Sequence, residues 1–132
     1  MGPVWFIEGG AEYMAQTTTR KLWTSGKLTI IDNSGLSSLE QSFENKMKNG
    51  KNMIENNCPG FKLGDIIYGN DCSQAAYDLG CWAIAYLLNK EGQTALLDTF
   101  YPSLNELGWE GAFQKTFGMS SEDFYVDFDA FL

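Results

Sequence analysis

The run "GCWAIAYLL", residues 80–88, constrains the fold more than any other part of the chain. It lies inside a helical segment from about Ser73 to Lys90, closed by Gly92. Its apolar residues fall on nearly every side of a helix rather than along one stripe. A helix of that kind is stable only with neighbours all round, so the rest of the chain has to wrap it. With 132 residues there is enough sequence for one domain with a real core and too little for two. Hydrophobic residues at 44% and aromatics at 14% place the chain among globular rather than disordered sequences.

The wrapping helices can be read from pattern and punctuation. A first helix is expected from about Pro3 to the low twenties, with Pro3 suited to the first turn and Gly26 offering a stop. Gly9 and Gly10 inside it each cost about 1 kcal/mol relative to Ala, a cost tolerated where a neighbour must come close. "TIIDNSG", residues 29–35, is a short apolar run closed by a turn. A second helix spans about Leu36 to Asn56, with Leu39, Phe43, Met47 and Ile54 as its apolar stripe. "NNCPGFKLGDIIYGNDC" is the longest loop, with a short extended piece expected at Asp65 to Tyr68. Gln93 to Tyr101 reads as a short helix ended before Pro102. "NELGWEGAFQKTFG" reads as a helix stopped by Gly118, and "SSEDFYVDFDAFL" as one begun by a Ser cap with acids in its first turn. No repeat, heptad or sheet-forming alternation is present. The expectation is a single, mainly α domain over residues 1–132, a compact bundle of five or six helices.

Charge and cysteine usage narrow the function classes. The net charge of −8 leaves no basic stripe to neutralise phosphates, which argues against nucleic acid as a partner. Lys46, Lys48 and Lys51 stand beside Glu44 and Glu55 and read as a solvated helix face. No apolar run approaches the roughly 20 residues of a membrane span, so no membrane partner is expected. "MGPVWFIEGG" lacks the basic start and long apolar stretch of a signal peptide. Cys58, Cys72 and Cys81 are odd in number and form no CxxC, which argues against a structural zinc knot. Cys81 reads as a small buried hydrophobe, while Cys58 and Cys72 bracket the long loop and could pair in an oxidising compartment, a pairing the sequence leaves open. The acids Glu122, Asp123, Asp127 and Asp129 read as a solvated face without the Gly and spacing of a calcium loop. Trp82, Trp109 and the many Phe residues read as core. The chain contains no histidine.

"PVWFIEGGAEYMA", residues 3–15, sets Glu8 and Glu12 four apart in an otherwise apolar segment. Four residues is about one helical turn, so both carboxylates leave one face. Like charges close together in a core are costly unless cations, a metal or hydrogen bonds compensate. On spacing alone the plainest assignment is a surface pair satisfied by Arg20, Lys21 or water. Glycoside hydrolysis is a poor fit, because two acids on one helix do not flank a substrate from opposite sides.

The string "WFIEGGAEYMA" resembles the glutamate helix of gluzincin-type zinc metallopeptidases, in particular the peptidase-MA-like group. "AAYDLGCWAIAYLLNKEGQTALLDTF" is similar to that family's downstream helix, and "AFQKTFGMSSEDFYVDFDAFL" to its closing segment. Together they cover most of the chain apart from about residues 27–70. The resemblance implies the C-terminal helical half of such an enzyme. It gives Glu8 the place of the third zinc ligand and Glu12 that of the carboxylate orienting a ligand histidine through its distal N–H. It gives Tyr77 the place of a phenol that stabilises a tetrahedral oxyanion, where the residue alone reads as a core aromatic with its hydroxyl at the surface.

The family's other motif, H-E-x-x-H, supplies two histidine ligands and the general base, and a chain without histidine lacks it. The expectation is therefore a catalytically incomplete metallopeptidase-like domain, inert alone, with zinc implied only for a completed site. A missing segment packed near Glu8, or a homodimer covering the same face, is the partner that follows, with a peptide as substrate only on completion. The competing expectation is a small helical interaction module with no catalytic role.

Overall fold

The computed structural model describes residues 2–25 and 39–132, and "TIIDNSG" and Gly26 lie outside them. Among the described residues there are five α-helices and no strand. They are α1 (Val4–Thr24), α2 (Leu39–Asn57), α3 (Ala75–Glu91), α4 (Tyr101–Phe117) and α5 (Ser121–Phe131). The mainly α class expected from the sequence is what the chain adopts. None of these helices is long and apolar enough to cross a membrane.

The all-round apolar helix is the centre of the bundle. On α3, Leu79, Gly80, Cys81, Ala83, Ile84, Leu87 and Leu88 are all buried, and α1 and α2 are its main neighbours. Glycine sets how near those neighbours come. A Cβ on Gly9 of α1 would run into the backbone of Gly80, and one on Gly80 would lie 3.0 Å from the Gly9 Cα. On the other side, a Cβ on Gly50 of α2 would meet the Leu79 Cβ at 2.8 Å. Both interfaces thus depend on a missing side chain, and the helix cost of Gly9 and Gly50 is the cost of backbone contact.

An aromatic layer fills the other flank of α1. Trp5 is fully buried, and its ring meets Phe6 at 5.4 Å, Phe124 at 5.6 Å and Tyr125 at 6.0 Å between centroids. Its indole N–H donates to the Tyr125 hydroxyl at 2.9 Å, which satisfies the polar atom inside the layer. Phe100, Phe113 and Phe128 are equally buried, each contributing about 1.5–3 kcal/mol by leaving water.

Two local expectations need correction. Pro102 does not end a helix: it sits in the first turn of α4, where its missing N–H is not needed. A widened π turn, Leu96–Phe100, leads straight into it. The interruption comes six residues later at Gly108, whose φ of 70° and ψ of 177° break α4 before "WEGAFQKTF" resumes. Asp65 to Tyr68 is not a continuous extended piece either. Leu63–Asp65 forms a 3₁₀ turn, because the Asp65 carboxylate accepts from the Lys62 N–H at 2.8 Å and tightens the chain there. The stops are as expected, with Gly118 left-handed after α4 and the Ser120 hydroxyl accepting from the Asp123 N–H at 3.1 Å.

The glycine contact yields a paired test. Gly9→Ala is expected to cost about 1–3 kcal/mol by forcing α1 off α3. Gly10→Ala, where a Cβ meets no described atom within 4 Å, is expected to be neutral or to gain up to about 1 kcal/mol of helix propensity. Urea denaturation measures both, and equal stabilities would mean that the two backbones do not touch.

Candidate functional site

Glu8 and Glu12 leave α1 on one face, one turn apart, yet they meet different chemistry. Glu8, half-buried, receives a hydrogen bond from the Tyr68 hydroxyl on its Oε1. Tyr77, in the first turn of α3, brings a second phenol to the same carboxylate. Tyr77 stands three residues before Gly80, so the helix turn that rests on α1 also aims the phenol at it. Both phenols remain exposed. The hydrogen bond to Glu8, then slight desolvation, then the carboxylate charge hold the Tyr68 phenol above its ordinary value of 10.0. For Tyr77 the charge of Glu8 comes first, followed by desolvation and the hydrogen bond, with the same direction. Near neutral pH both are protonated donors facing an acceptor.

Glu12 faces a cation. Lys46 of α2 approaches its Oε1 at 2.8 Å and reaches the Asp78 Oδ1 of α3 at 3.2 Å, so one ammonium joins three helices. The Gln16 amide donates to the same Oε1 at 3.0 Å. The Lys46 side chain is 17% exposed and the two acids 26% each, sheltered enough for the pairing to matter. The Lys46 hydrogen bond outweighs burial and holds the Glu12 carboxyl below its ordinary value of 4.5. Burial alone pulls the Lys46 ammonium down, but Glu12 and Asp78 together hold it above 10.5. Cys81 lies buried beside this group, and burial pushes its thiol up to about 12.

The sequence did not anticipate two of these partners. Lys46 was expected on a solvated face with Lys48 and Lys51. Lys48 is there, paired with Glu44 at 2.7 Å, and Lys51 donates to the Leu132 carbonyl at 3.0 Å. Lys46 follows the buried Phe43 by three residues and precedes the buried Gly50 by four, a spacing that puts it at the edge of the buried stripe. Its cation reaches Glu12 in the place that Arg20 or Lys21 held in the simplest sequence assignment. Tyr68 gave no periodic signal, because it lies in the loop between Cys58 and Cys72. Those two cysteines are joined in a disulfide with Cα atoms 6.3 Å apart.

Two clefts lie elsewhere. One of about 290 Å³ runs between α2, the 59–63 loop and α5, lined by Lys51, Glu55, Lys62 and Asp129 among others. The other, of about 570 Å³, is lined by Tyr13, Phe43, Trp82, Tyr86 and Phe131 with Asn89 and Gln93. Glu8 and its phenols line neither.

The donor set decides what the site holds alone. Zinc takes three protein ligands and keeps a fourth position for water. Among the described residues no three His, Cys, Asp or Glu side chains gather as a metal group, and the chain has no histidine. Glu8 offers one carboxylate, already hydrogen-bonded. The described residues do not by themselves fit a zinc ion. Compared with family models, curated proteins and solved structures, the chain finds no match in any of the three.

The Lys46 group has a pH signature. A carboxyl held below its unfolded value stabilises the fold fully above that value and progressively less as pH falls through the folded one. Glu12→Gln is therefore expected to cost about 1 kcal/mol near neutral pH. Its difference from the wild type should shrink progressively as pH falls below 4.5 and the carboxyl becomes protonated in the folded state too. Urea midpoints across that range measure it, and an undiminished gap in acid would mean that Lys46 does not hold Glu12.

Proposed function

We propose that this chain is the glutamate-bearing, C-terminal helical part of a gluzincin-type metallopeptidase domain, catalytically incomplete as it stands. The observation that carries this reading is the meeting of Glu8 with Tyr77. These two positions, on separate helices, are the ones the resemblance assigns to a single site, and the glycine contact between α1 and α3 sets them side by side. Glu8 is the third zinc ligand. Tyr77, protonated near neutral pH, is the donor for a developing oxyanion. Glu12 is the orienting carboxylate: Lys46 and Gln16 both engage Oε1, and Oε2 is the oxygen left for the distal N–H of a ligand imidazole. The two histidines and the general-base glutamate come from another segment, packed where Ile67, Tyr68 and Tyr77 are exposed.

A second reading, a helical interaction module, is favoured by one fact. The cation on Glu12 gives that carboxylate a structural role that requires no metal. Zinc binding separates the two. The chain alone is expected to show no tight zinc site, and Glu8→Ala to behave like wild type. Together with a natural segment bearing H-E-x-x-H, one zinc is expected to bind, and Glu8→Ala to weaken it by at least about 10-fold. Tight binding to the chain alone, or binding in the complete protein that ignores Glu8, would overturn the first reading.

A further inference from the structure

Tyr68 is the least supported aromatic in contact with the candidate site. It is 59% exposed and Ile67 before it 58%, and Gly69 after it has a φ of 86°. The bond from its hydroxyl to Glu8 is the one hydrogen bond it makes among the described residues. What fixes the residue is therefore the anchoring of the segment on either side. Ile66, two residues before, is buried in the core at 1% exposure. Cys72, four residues after, is fully buried, with its N–H donating to the Asn70 side chain at 3.1 Å. Its sulfur is bonded to Cys58, which directly follows α2. The bridge thus closes the loop that carries Tyr68, tying the end of α2 to the approach of α3.

We propose that Tyr68 is a positioning residue for Glu8, held on the carboxylate by the Cys58–Cys72 bridge, so that reduction of the bridge uncaps Glu8. A dithiol supplies the two electrons and two protons. Its sulfurs close into a disulfide as the Cys58–Cys72 bond opens to two thiols. In the bridged chain the Tyr68 hydroxyl occupies Oε1 and fixes the carboxylate's rotation. In the reduced chain the Cys72 end keeps only its packing and its local hydrogen bonds, segment 67–71 explores more conformations, and Oε1 is free for another partner. This deepens the reading of Glu8 as a ligand by naming what occupies it and what releases it. The contact itself stands whether or not a metal ever binds there.

The test uses no metal, so its failure is distinct from failure of the metallopeptidase reading. Carbodiimide-driven amidation of Glu8 by a small amine, followed by peptide mass spectrometry, reports how freely the carboxylate is presented. Glu12, clamped by Lys46, serves as the reference within the same molecule. Relative to the bridged wild type, Tyr68→Phe is expected to speed amidation of Glu8 by about 2- to 10-fold, the size that loss of one hydrogen bond carries. The double variant Cys58→Ser, Cys72→Ser is expected to do the same. Combining all three substitutions is expected to add nothing further, because bridge and phenol act on Glu8 through one contact. Additive effects, or a Glu8 rate unmoved by loss of the bridge, would overturn the proposal. A parallel rise at Glu12 would do so too, since it would show the whole bundle loosening rather than one residue leaving.

Discussion

The contact that the rest of the molecule depends on is the absence of two side chains, at Gly9 and Gly80. With nothing between them, the backbones of α1 and α3 touch. The hydrophobic effect draws apolar helices together but does not fix their distance, which the smallest residues at the crossing decide. From that single distance several placements follow. Trp5 can reach into the aromatic layer, Glu8 comes level with the first turn of α3, and the faces bearing Glu12 and Asp78 converge on one ammonium. Substituting either glycine would disturb core and site together.

Two identical carboxylates one turn apart acquire opposite characters from their neighbours. Glu12 meets a permanent cation and is held ionised as a structural joint between three helices. Glu8 meets two neutral phenols: Tyr68 donates a hydrogen bond to it, and Tyr77 stands within reach of its charge. A carboxylate solvated by neutral donors keeps its attraction for a cation, and one neutralised by lysine largely does not. That difference, rather than the spacing the two residues share, is what singles out Glu8 as the chemically available member.

Much of the fold was legible because it rests on local rules. The all-round apolar run at residues 80–88 named the central helix, and Gly92, Gly118 and the Ser cap named boundaries. Pro102 misled because proline is as acceptable in a first turn as it is destructive in an interior, and only Gly108 showed where α4 is interrupted. At the site, the pairing of Glu8 and Glu12 was visible from helix geometry. Their cross-element partners were not, because Lys46 and Tyr68 lie 34 or more positions further along and reach α1 only through tertiary packing. A loop tyrosine carries no periodicity at all, and a lysine at the edge of a buried stripe looks, in one dimension, like any other surface lysine. The pairing of Cys58 with Cys72 was open to expectation because both flank one loop, whereas its bearing on Tyr68 emerges only in three dimensions.

Cys81 gives the odd cysteine count a practical meaning. Oxidative refolding of a three-cysteine chain is prone to wrong pairings, since any thiolate attacks any disulfide it can reach. Here the third sulfur is fully buried, and burial pushes its thiol up to about 12, which disfavours the thiolate that exchange requires. Once α3 has packed, Cys81 is shut away from solvent in the core, and the sulfurs left to pair are those of Cys58 and Cys72.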